Sequence, residues 1–191
     1  MKKVALFGGT FNPIHCGHVG IAEEVCKRLH LDKVIFIPCY TPPHKAAYRL
    51  ASAKNRLIMV KKAVEGNSRF EVSDIEIKRK GKSYTIDTIE EFQRRFKNKA
   101  KILFLIGADT LSELREWNGI EEILAMVKFV VVSRPGFRLN RSLRNAKLLS
   151  IPGIGISSSV IRQRIARGDS IRYLVPETVQ RHIKQNRLYR K

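Results

Sequence analysis

Short, wholly apolar runs alternate with helical patterns along this chain, and this alternation restricts the fold more than any other feature. The first apolar run, residues 4–7, ends at Gly8 and Gly9, and the second, residues 34–37, ends at Pro38. Between them, apolar residues recur near a period of 3.6, which predicts an amphipathic helix over about residues 19–29. A buried strand, a helix and a second buried strand in this order predict a parallel sheet.

The alternation continues to the C-terminal region and predicts one α/β domain over residues 1–191. Further strands are predicted at residues 70–77, 102–106, 129–132 and 148–151. Helices are predicted at residues 53–64, 84–96, 111–117, 120–126, 157–167 and 176–185. We therefore expect a Rossmann-like open parallel sheet with helices on both faces, in which ligands bind beyond the carboxyl ends of the strands.

Composition excludes several classes of protein. The 191 residues are 43% hydrophobic and 28% charged, which is sufficient for a core and argues against disorder. Three cysteines without a C-x-x-C pair argue against a disulfide framework and against a structural zinc site. No apolar run approaches the roughly 20 residues that span a bilayer, and residues 4–7 are too short for a signal-peptide core. We expect a cytoplasmic protein that does not enter the membrane.

The chain is strongly basic, with a formal net charge of +20 at pH 7. The charge is uneven, because residues 134–191 contain 14 Lys and Arg against only Asp169 and Glu177, a net charge of +12. This positive charge indicates a partner that carries phosphate, either a nucleic acid or a triphosphate nucleotide. A solvated basic surface without a partner explains many of these residues equally well.

The segment GGTFNPIHCGH, residues 8–18, follows the first predicted strand directly. Gly8 and Gly9 allow the backbone to approach a ligand closely. His15 and His18 are three residues apart at the start of the predicted helix, so both can point the same way, and Gly17 removes a side chain between them. Amide donors, the positive end of a helix dipole and two imidazoles favour a site for negative charge.

A second segment with phosphate-binding character is ISSSVIR, residues 156–162. Serines at a helix start commonly serve as N-caps. Serines ahead of Arg162 in the first turns also make a polyphosphate clamp. We favour the clamp for Ser158, Ser159 and Arg162, and interpret Arg164 as a surface charge. This motif lies in the helical C-terminal portion of the domain, residues 157–191.

The first segment resembles the (H/T)xGH signature of the nucleotidylyltransferase superfamily, and the second resembles its ISSTxIR signature with Ser159 in place of Thr. Over nearly its full length the chain is similar to bacterial nicotinate mononucleotide adenylyltransferases. Four more segments support this resemblance: residues 41–45 (TPPHK), 83–88 (SYTIDT), 106–109 (IGAD) with Trp117, and 132–136 (VSRPG). Asn12 departs from the pattern, because many members have Asp at this position.

The resemblance implies a role for each matching residue. The implied catalytic residues are His15, His18, Lys45 and Arg162. The implied ATP-binding residues are Gly8, Gly9, Thr10, Phe11, His18, Gly107, Asp109, Arg134, Ile156, Ser158, Ser159 and Arg162. The implied mononucleotide-binding residues are Thr10, Asn12, Lys45, Tyr84, Thr85 and Trp117. Core packing is the alternative for Tyr84 and Trp117, and helix capping is the alternative for Asp109.

The implied activity is transfer of AMP from ATP to nicotinate mononucleotide, which gives nicotinate adenine dinucleotide (deamido-NAD) and pyrophosphate in NAD biosynthesis. Mg²⁺ is expected on the triphosphate, without a metal site of the protein's own. One alternative is a sister adenylyltransferase that uses nicotinamide mononucleotide or phosphopantetheine. A non-catalytic nucleic-acid-binding protein is a more distant alternative, because it leaves the two histidines unexplained. We expect no nucleic-acid partner, and the sequence leaves a homo-oligomer open.

Overall fold

A computed structural model describes residues 1–42, 50–97, 99–133, 146–151 and 155–190. In these residues, six strands form one sheet in which every neighbouring pair is parallel. The strands are β1 (Lys2–Gly9), β2 (Lys33–Pro38), β3 (Phe70–Val72), β4 (Ala100–Gly107), β5 (Lys128–Ser133) and β6 (Ala146–Ser150). Their order across the sheet is β3-β2-β1-β4-β5-β6, so the predicted open parallel sheet is confirmed.

Seven α-helices connect or follow the strands within the described ranges. They are α1 (Cys16–Arg28), α2 (Ala53–Val64), α3 (Ile75–Arg79), α4 (Thr85–Phe96), α5 (Ile120–Met126), α6 (Ser158–Arg167) and α7 (Glu177–Gln185). The helix predicted at residues 111–117 is instead two 3₁₀ turns, Ala108–Ser112 and Leu114–Glu116. Among the described residues, no helix is long and apolar enough to cross a bilayer.

The helices cover both faces of the sheet, as the sequence predicts. Alternate residues of β1 belong to two different apolar clusters, because successive side chains of a strand point to opposite faces. Ala5 and Phe7 pack with side chains of α1, α2, α6 and α7, and Val4 and Leu6 pack with side chains of α4 and α5. The C-terminal helices therefore share the core of the sheet.

The strand predicted at residues 70–77 is wrong in its second half. Pairing with β2 ends at Val72, and residues 75–79 form α3. The alternation of apolar and polar residues is misleading here because Glu76 is buried, and its carboxylate accepts a hydrogen bond of 2.7 Å from the Thr88 hydroxyl. A polar residue can therefore occupy an inward position when a partner satisfies it.

The strand order reverses between β1 and β4, which lie side by side at the centre of the sheet. From β1 the chain continues to one edge of the sheet, and from β4 it continues to the other. Connections that diverge in this way leave a crevice at the carboxyl ends of the two strands, where α/β sheets bind ligands. Gly8, Gly9 and Gly107 end the two strands at this crevice.

Candidate active site

The two predicted phosphate-binding segments meet in space. The Ser158 hydroxyl donates a hydrogen bond of 2.9 Å to the carbonyl of Pro13. The Arg162 guanidinium donates one of 2.8 Å to the carbonyl of Asn12. The first turns of α6 therefore lie against the turn that follows β1, although about 145 residues separate the two in the chain. Both turns belong to one site at the carboxyl end of β1.

His15 and His18 form a stacked pair at the N-terminus of α1. His15 is the N-cap residue, and its backbone N–H donates to Nδ1 of His18 at 3.3 Å. The two ring centroids are 3.7 Å apart, and the ring planes are inclined by 27°. The Phe11 ring meets the His18 ring edge to face, with centroids 5.2 Å apart. The Phe7 ring lies 6.0 Å from the His18 ring between centroids, so a hydrogen bond and three ring contacts fix the orientation of His18.

Burial determines the charge of His15. The side chain is only 6% exposed, and burial lowers the pKa of His15 to about 4, because a charged imidazolium loses its hydration there. The ring is therefore neutral near pH 7. Its Nδ1 is buried without a hydrogen-bond partner among the described residues. A buried polar atom of this kind is rare in folded proteins and often marks a functional position.

Two glycines at the strand ends lie close to neighbouring side chains. A Cβ on Gly9 would lie 3.0 Å from the Phe11 ring, which the unusual φ of +46° at Phe11 folds back over the strand end. A Cβ on Gly107 would lie 2.3 Å from Oδ1 of Asp109. The exposed Asp109 carboxylate therefore folds over the end of β4, next to the crevice.

A buried arginine that the sequence analysis did not identify connects the loops around the crevice. Arg56, in α2, is 0% exposed. Its guanidinium donates to four backbone carbonyls, those of Thr10 (3.0 Å), Cys39 (2.6 Å), Tyr40 (2.7 Å) and Ala51 (3.0 Å). These hydrogen bonds connect the turn after β1, the loop after β2 and the approach to α2, which is residues 50–52.

The three serines of the second segment have different contacts. Ser157 is the N-cap of α6, and its hydroxyl accepts a hydrogen bond from the N–H of Val160 at 3.3 Å. The exposed Ser159 hydroxyl lies 3.0 Å from that of Ser157, whereas the Ser158 hydroxyl is engaged with Pro13. Ile156, just before them, is buried in the core. Capping therefore explains Ser157, and a phosphate contact by Ser158 or Ser159 stays a prediction.

The loop after β2 is joined to the N-terminus of α4, where Tyr84 is the N-cap and Thr85 the first helical residue. The N–H of Tyr40 donates to the Ser83 hydroxyl at 2.9 Å, and the N–H of Ser83 donates to the carbonyl of Thr41 at 3.1 Å. No side chain caps this helix start in the described part of the chain. The first N–H groups of α4 thus lie beside the crevice without a capping oxygen, a suitable arrangement for an anion.

The buried Glu76 side chain is hydrogen-bonded to the start of α4. Burial raises the pKa of Glu76, and hydrogen bonds from Thr88 and Ser83 and the charge of Arg79 oppose that shift. The Arg79 guanidinium also donates to the Thr88 hydroxyl at 3.1 Å. The residues that connect α3 with α4 are therefore held by a buried polar cluster that the periodicity of the sequence did not indicate.

Trp117 is half-buried and packs through its edges. Its ring centroid lies 6.0 Å from that of Phe104 and 6.3 Å from that of Phe129, both at steep interplanar angles. Core packing therefore accounts for part of the burial of the Trp117 side chain, and stacking on a pyridine ring stays a prediction.

Gly119, two residues after Trp117, approaches α4 so closely that a Cβ on it would lie 2.4 Å from Cδ1 of Ile86. The segment that follows Trp117 therefore packs against the first turn of α4.

Two predicted site residues, Lys45 and Arg134, lie outside the described residues. The described residues bring the others to the carboxyl edge of the sheet, in the turns after β1 and β4 and at the starts of α4 and α6. They contain no group of three or more His, Cys, Asp and Glu side chains that could hold a metal ion.

Comparisons with known proteins agree with this geometry. The model of the cytidylyltransferase-like family matches residues 6–164. A protein of Clostridium tetani named probable nicotinate-nucleotide adenylyltransferase is 43% identical over 201 aligned residues, which cover 100% of both chains. A protein of Shouchella clausii with the same name is 45% identical, and the alignment covers 99% of this chain and 97% of that one.

A solved structure has the same fold. The nicotinic acid mononucleotide adenylyltransferase of Plasmodium falciparum, complexed with NaAD, superposes with a TM-score of 0.83. The superposition covers 99% of this chain and 98% of that one, with 18% sequence identity. At this identity the likeness concerns the fold.

Proposed function

This chain belongs to the cytidylyltransferase-like family, and we propose that within it the chain acts as a nicotinate-nucleotide adenylyltransferase. It transfers AMP from ATP to nicotinate mononucleotide and releases pyrophosphate, giving nicotinate adenine dinucleotide for NAD biosynthesis. The observation that carries this proposal is the contact between the two motif turns, through Ser158 with Pro13 and Arg162 with Asn12. The full-length similarity to relatives with this name supports the same acceptor.

The reaction needs no covalent intermediate on the protein. A 5′-phosphate oxygen of the mononucleotide attacks the α-phosphorus of ATP. The bond from that phosphorus to the oxygen that it shares with the β-phosphorus breaks, and pyrophosphate leaves with the electron pair. The protein holds the reacting groups in line and stabilises the developing negative charge. Arg162 supplies a permanent positive charge beside the turn, and Lys45 is proposed to act on the same phosphates. Arg134 is proposed to bind ATP near the adenosine.

The contacts of His18 define its part in this mechanism. Because Nδ1 of His18 accepts the N–H of His15, the proton of a neutral His18 ring is on Nε2. Nε2 can then donate a hydrogen bond to a phosphate oxygen. The neutral His15 ring is proposed to bind phosphate by hydrogen bonding rather than by charge.

ATP is proposed to enter as its magnesium complex. Mg²⁺ prefers phosphate oxygens and water, and the described residues provide no acidic cluster that would hold it. The metal is proposed to bind as part of the substrate, while the protein makes its contacts to the phosphates.

The start of α4 is proposed to select the acid form of the pyridine mononucleotide. Its first N–H groups and the positive end of the helix dipole favour a carboxylate over a neutral amide. Trp117, two residues before the Gly119 that packs against Ile86 of α4, is proposed to stack on a pyridine ring held at the amides of Tyr84 and Thr85.

A pyrophosphate-release assay with three acceptors tests the proposal. The purified chain is given MgATP with nicotinate mononucleotide, nicotinamide mononucleotide or phosphopantetheine, and the products are identified by mass. We expect the highest kcat/KM with nicotinate mononucleotide. Preference for phosphopantetheine, or no pyrophosphate with any acceptor, would refute the proposed function.

A further inference from the structure

The end of the chain returns to the first motif turn. After α7 ends at Gln185, the N–H of Leu188 bonds back to the carbonyl of Ile183 at 3.0 Å. The next residue, Tyr189, has a φ of +64°. Its hydroxyl donates a hydrogen bond of 2.7 Å to Oδ1 of Asn12, across 177 residues of sequence.

Asn12 is the point where three separate segments join. Its side-chain oxygen accepts from the hydroxyl of Tyr189 and from the N–H of Ala51, the latter at 3.0 Å. Its backbone carbonyl accepts from Arg162 at 2.8 Å. Asn12 is only 7% exposed, so water competes weakly for these bonds. Three segments are therefore fixed relative to this one residue of the first motif: the tail (residues 186–190), the approach to α2 and the second motif.

The Tyr189 hydroxyl is a constant donor. Burial raises the pKa of Tyr189 far above its ordinary value, against the opposing charges of Arg162 and Arg56. An amide oxygen can only accept, so the hydrogen bond runs from Tyr189 to Asn12. The left-handed backbone of Tyr189, which is uncommon for a bulky residue, indicates that the tail is held in this conformation by its contacts.

We propose that Tyr189 is a positioning residue of the active site: through Asn12, its hydroxyl fixes Arg162 relative to the histidine-bearing turn. The proposal rests on the adenylyltransferase function proposed above. Tyr189 does not itself touch the reacting atoms. It sets the distance between the two motifs that bind the phosphates, so its loss weakens the use of ATP without removing a phosphate ligand.

The test compares Tyr189→Phe with Tyr173→Phe, which removes the same atom from a tyrosine that is 78% exposed and contacts Arg172. We expect Tyr189→Phe to lower kcat/KM for ATP about tenfold at 25 °C, the scale of losing one buried hydrogen bond. The KM for nicotinate mononucleotide should change less than twofold. Tyr173→Phe should match the wild type.

A double-mutant cycle separates positioning from simple stabilisation. Circular dichroism first establishes that each variant is folded at the assay temperature. In the Asn12→Ala background, Tyr189→Phe should cause less than a twofold further loss, because the connection is already broken. Equal losses of kcat/KM in both backgrounds, or a fully active Tyr189→Phe, would overturn the proposal.

The cycle is repeated on a second readout, the affinity for a non-hydrolysable ATP analogue measured by calorimetry. If the wild type releases no pyrophosphate with any acceptor, the proposed function fails, and this binding cycle still decides the role of Tyr189. Tenfold weaker binding by Tyr189→Phe that disappears in the Asn12→Ala background supports the role. Unchanged binding, or weakening that persists in that background, overturns it.

Discussion

The imidazole rings of His15 and His18 stack with their centroids 3.7 Å apart. Two imidazolium rings at this separation would repel each other, so the pair is compatible with at most one positive charge. The burial that lowers the pKa of His15 to about 4 keeps that ring neutral near pH 7. His18 can therefore be oriented by His15 and donate to a phosphate without a positive charge on the ring stacked against it.

Replacing His18 with alanine should abolish most turnover while the fold persists. The variant loses the proposed Nε2–H donor to phosphate, and loss of one such stabilising donor typically lowers kcat by at least ~100-fold. Steady-state pyrophosphate release measures the loss, and circular dichroism establishes folding. His30→Ala, at an exposed histidine just beyond α1, serves as the control and should retain wild-type kcat. Near-normal turnover in His18→Ala would contradict the proposed role.

His15 should make the protein less stable as the pH falls from about 6.5 to about 4. The folded-state pKa, about 4, lies below the unfolded value of 6.5, so in this interval the unfolded chain binds a proton that the folded chain excludes. Above pH 6.5 both states are neutral and the effect is absent. At 1.36 kcal/mol per pKa unit, the free energy of unfolding should fall by up to about 3 kcal/mol.

Urea unfolding of the wild type and of His15→Asn, measured from pH 8 to pH 4.5, checks this expectation. Asparagine is a favourable residue at an N-cap position and does not titrate. Burial also lowers the pKa of His182, and this contribution is common to both proteins and cancels in their difference. The two free energies of unfolding should differ most at the acidic end. Parallel pH profiles would show that His15 takes up its proton equally in both states.

The sequence predicted those features that local patterns determine. Apolar runs located the buried strands, and the motif spacing located the two turns that meet through Ser158 with Pro13 and Arg162 with Asn12. The strand predicted at residues 70–77 was wrong because periodicity does not record that a buried Glu76 has a partner in Thr88. The 3₁₀ turns near Trp117 were also missed, since their spacing resembles that of a short helix.

The sequence could not predict the hydrogen-bond partners of the residues that connect the loops. Arg56 carries a usable signal, because it falls three and four residues before the buried Met59 and Val60, on the apolar stripe of α2. A charge on such a stripe indicates a buried network, but its four carbonyl partners come from distant loops. Tyr189 carries no comparable signal, because its partner Asn12 is 177 residues away.

Replacing Arg56 with methionine should destabilise the protein by about 3 kcal/mol or more. The substitution keeps an unbranched apolar side chain but removes the donors to Thr10, Cys39, Tyr40 and Ala51. Each buried carbonyl left without a partner costs about 1–3 kcal/mol, and relaxation of the loops recovers part of this. Urea unfolding measures the change in the free energy of unfolding.

Lys61→Met is the matched control, because Lys61 is exposed on the same helix and a surface substitution there should change stability by no more than about 0.5 kcal/mol. Arg56→Lys should recover only part of the loss, since a single ammonium cannot reproduce the geometry of the guanidinium fork. Equal stabilities of Arg56→Met and Lys61→Met would show that the loops hold together without Arg56.

The contact between Gly119 and α4 should be sensitive to a single methyl group. Gly119 has a φ of +68°, and a Cβ on it would lie 2.4 Å from Cδ1 of Ile86. Gly66 has a φ of +85° with nothing within 4 Å of its Cβ position. Alanine at either position incurs the left-handed backbone cost of about 1–2 kcal/mol, and only Gly119→Ala adds overpacking of about 1–3 kcal/mol. The difference between the two variants in urea unfolding isolates the steric contact.

The same pair of variants tests the proposed acceptor site. Because Ile86 lies in the first turn of α4, the added methyl group should displace that helix start relative to Trp117 and raise the KM for nicotinate mononucleotide several-fold. The KM for ATP should change little, since the atoms nearest a Cβ on Gly119 belong to Ile86 and Glu122 and not to the motif turns at Asn12 and Arg162. Gly66→Ala should leave both KM values at the wild-type level. A rise in the KM for ATP alone would place the acceptor elsewhere on the sheet edge.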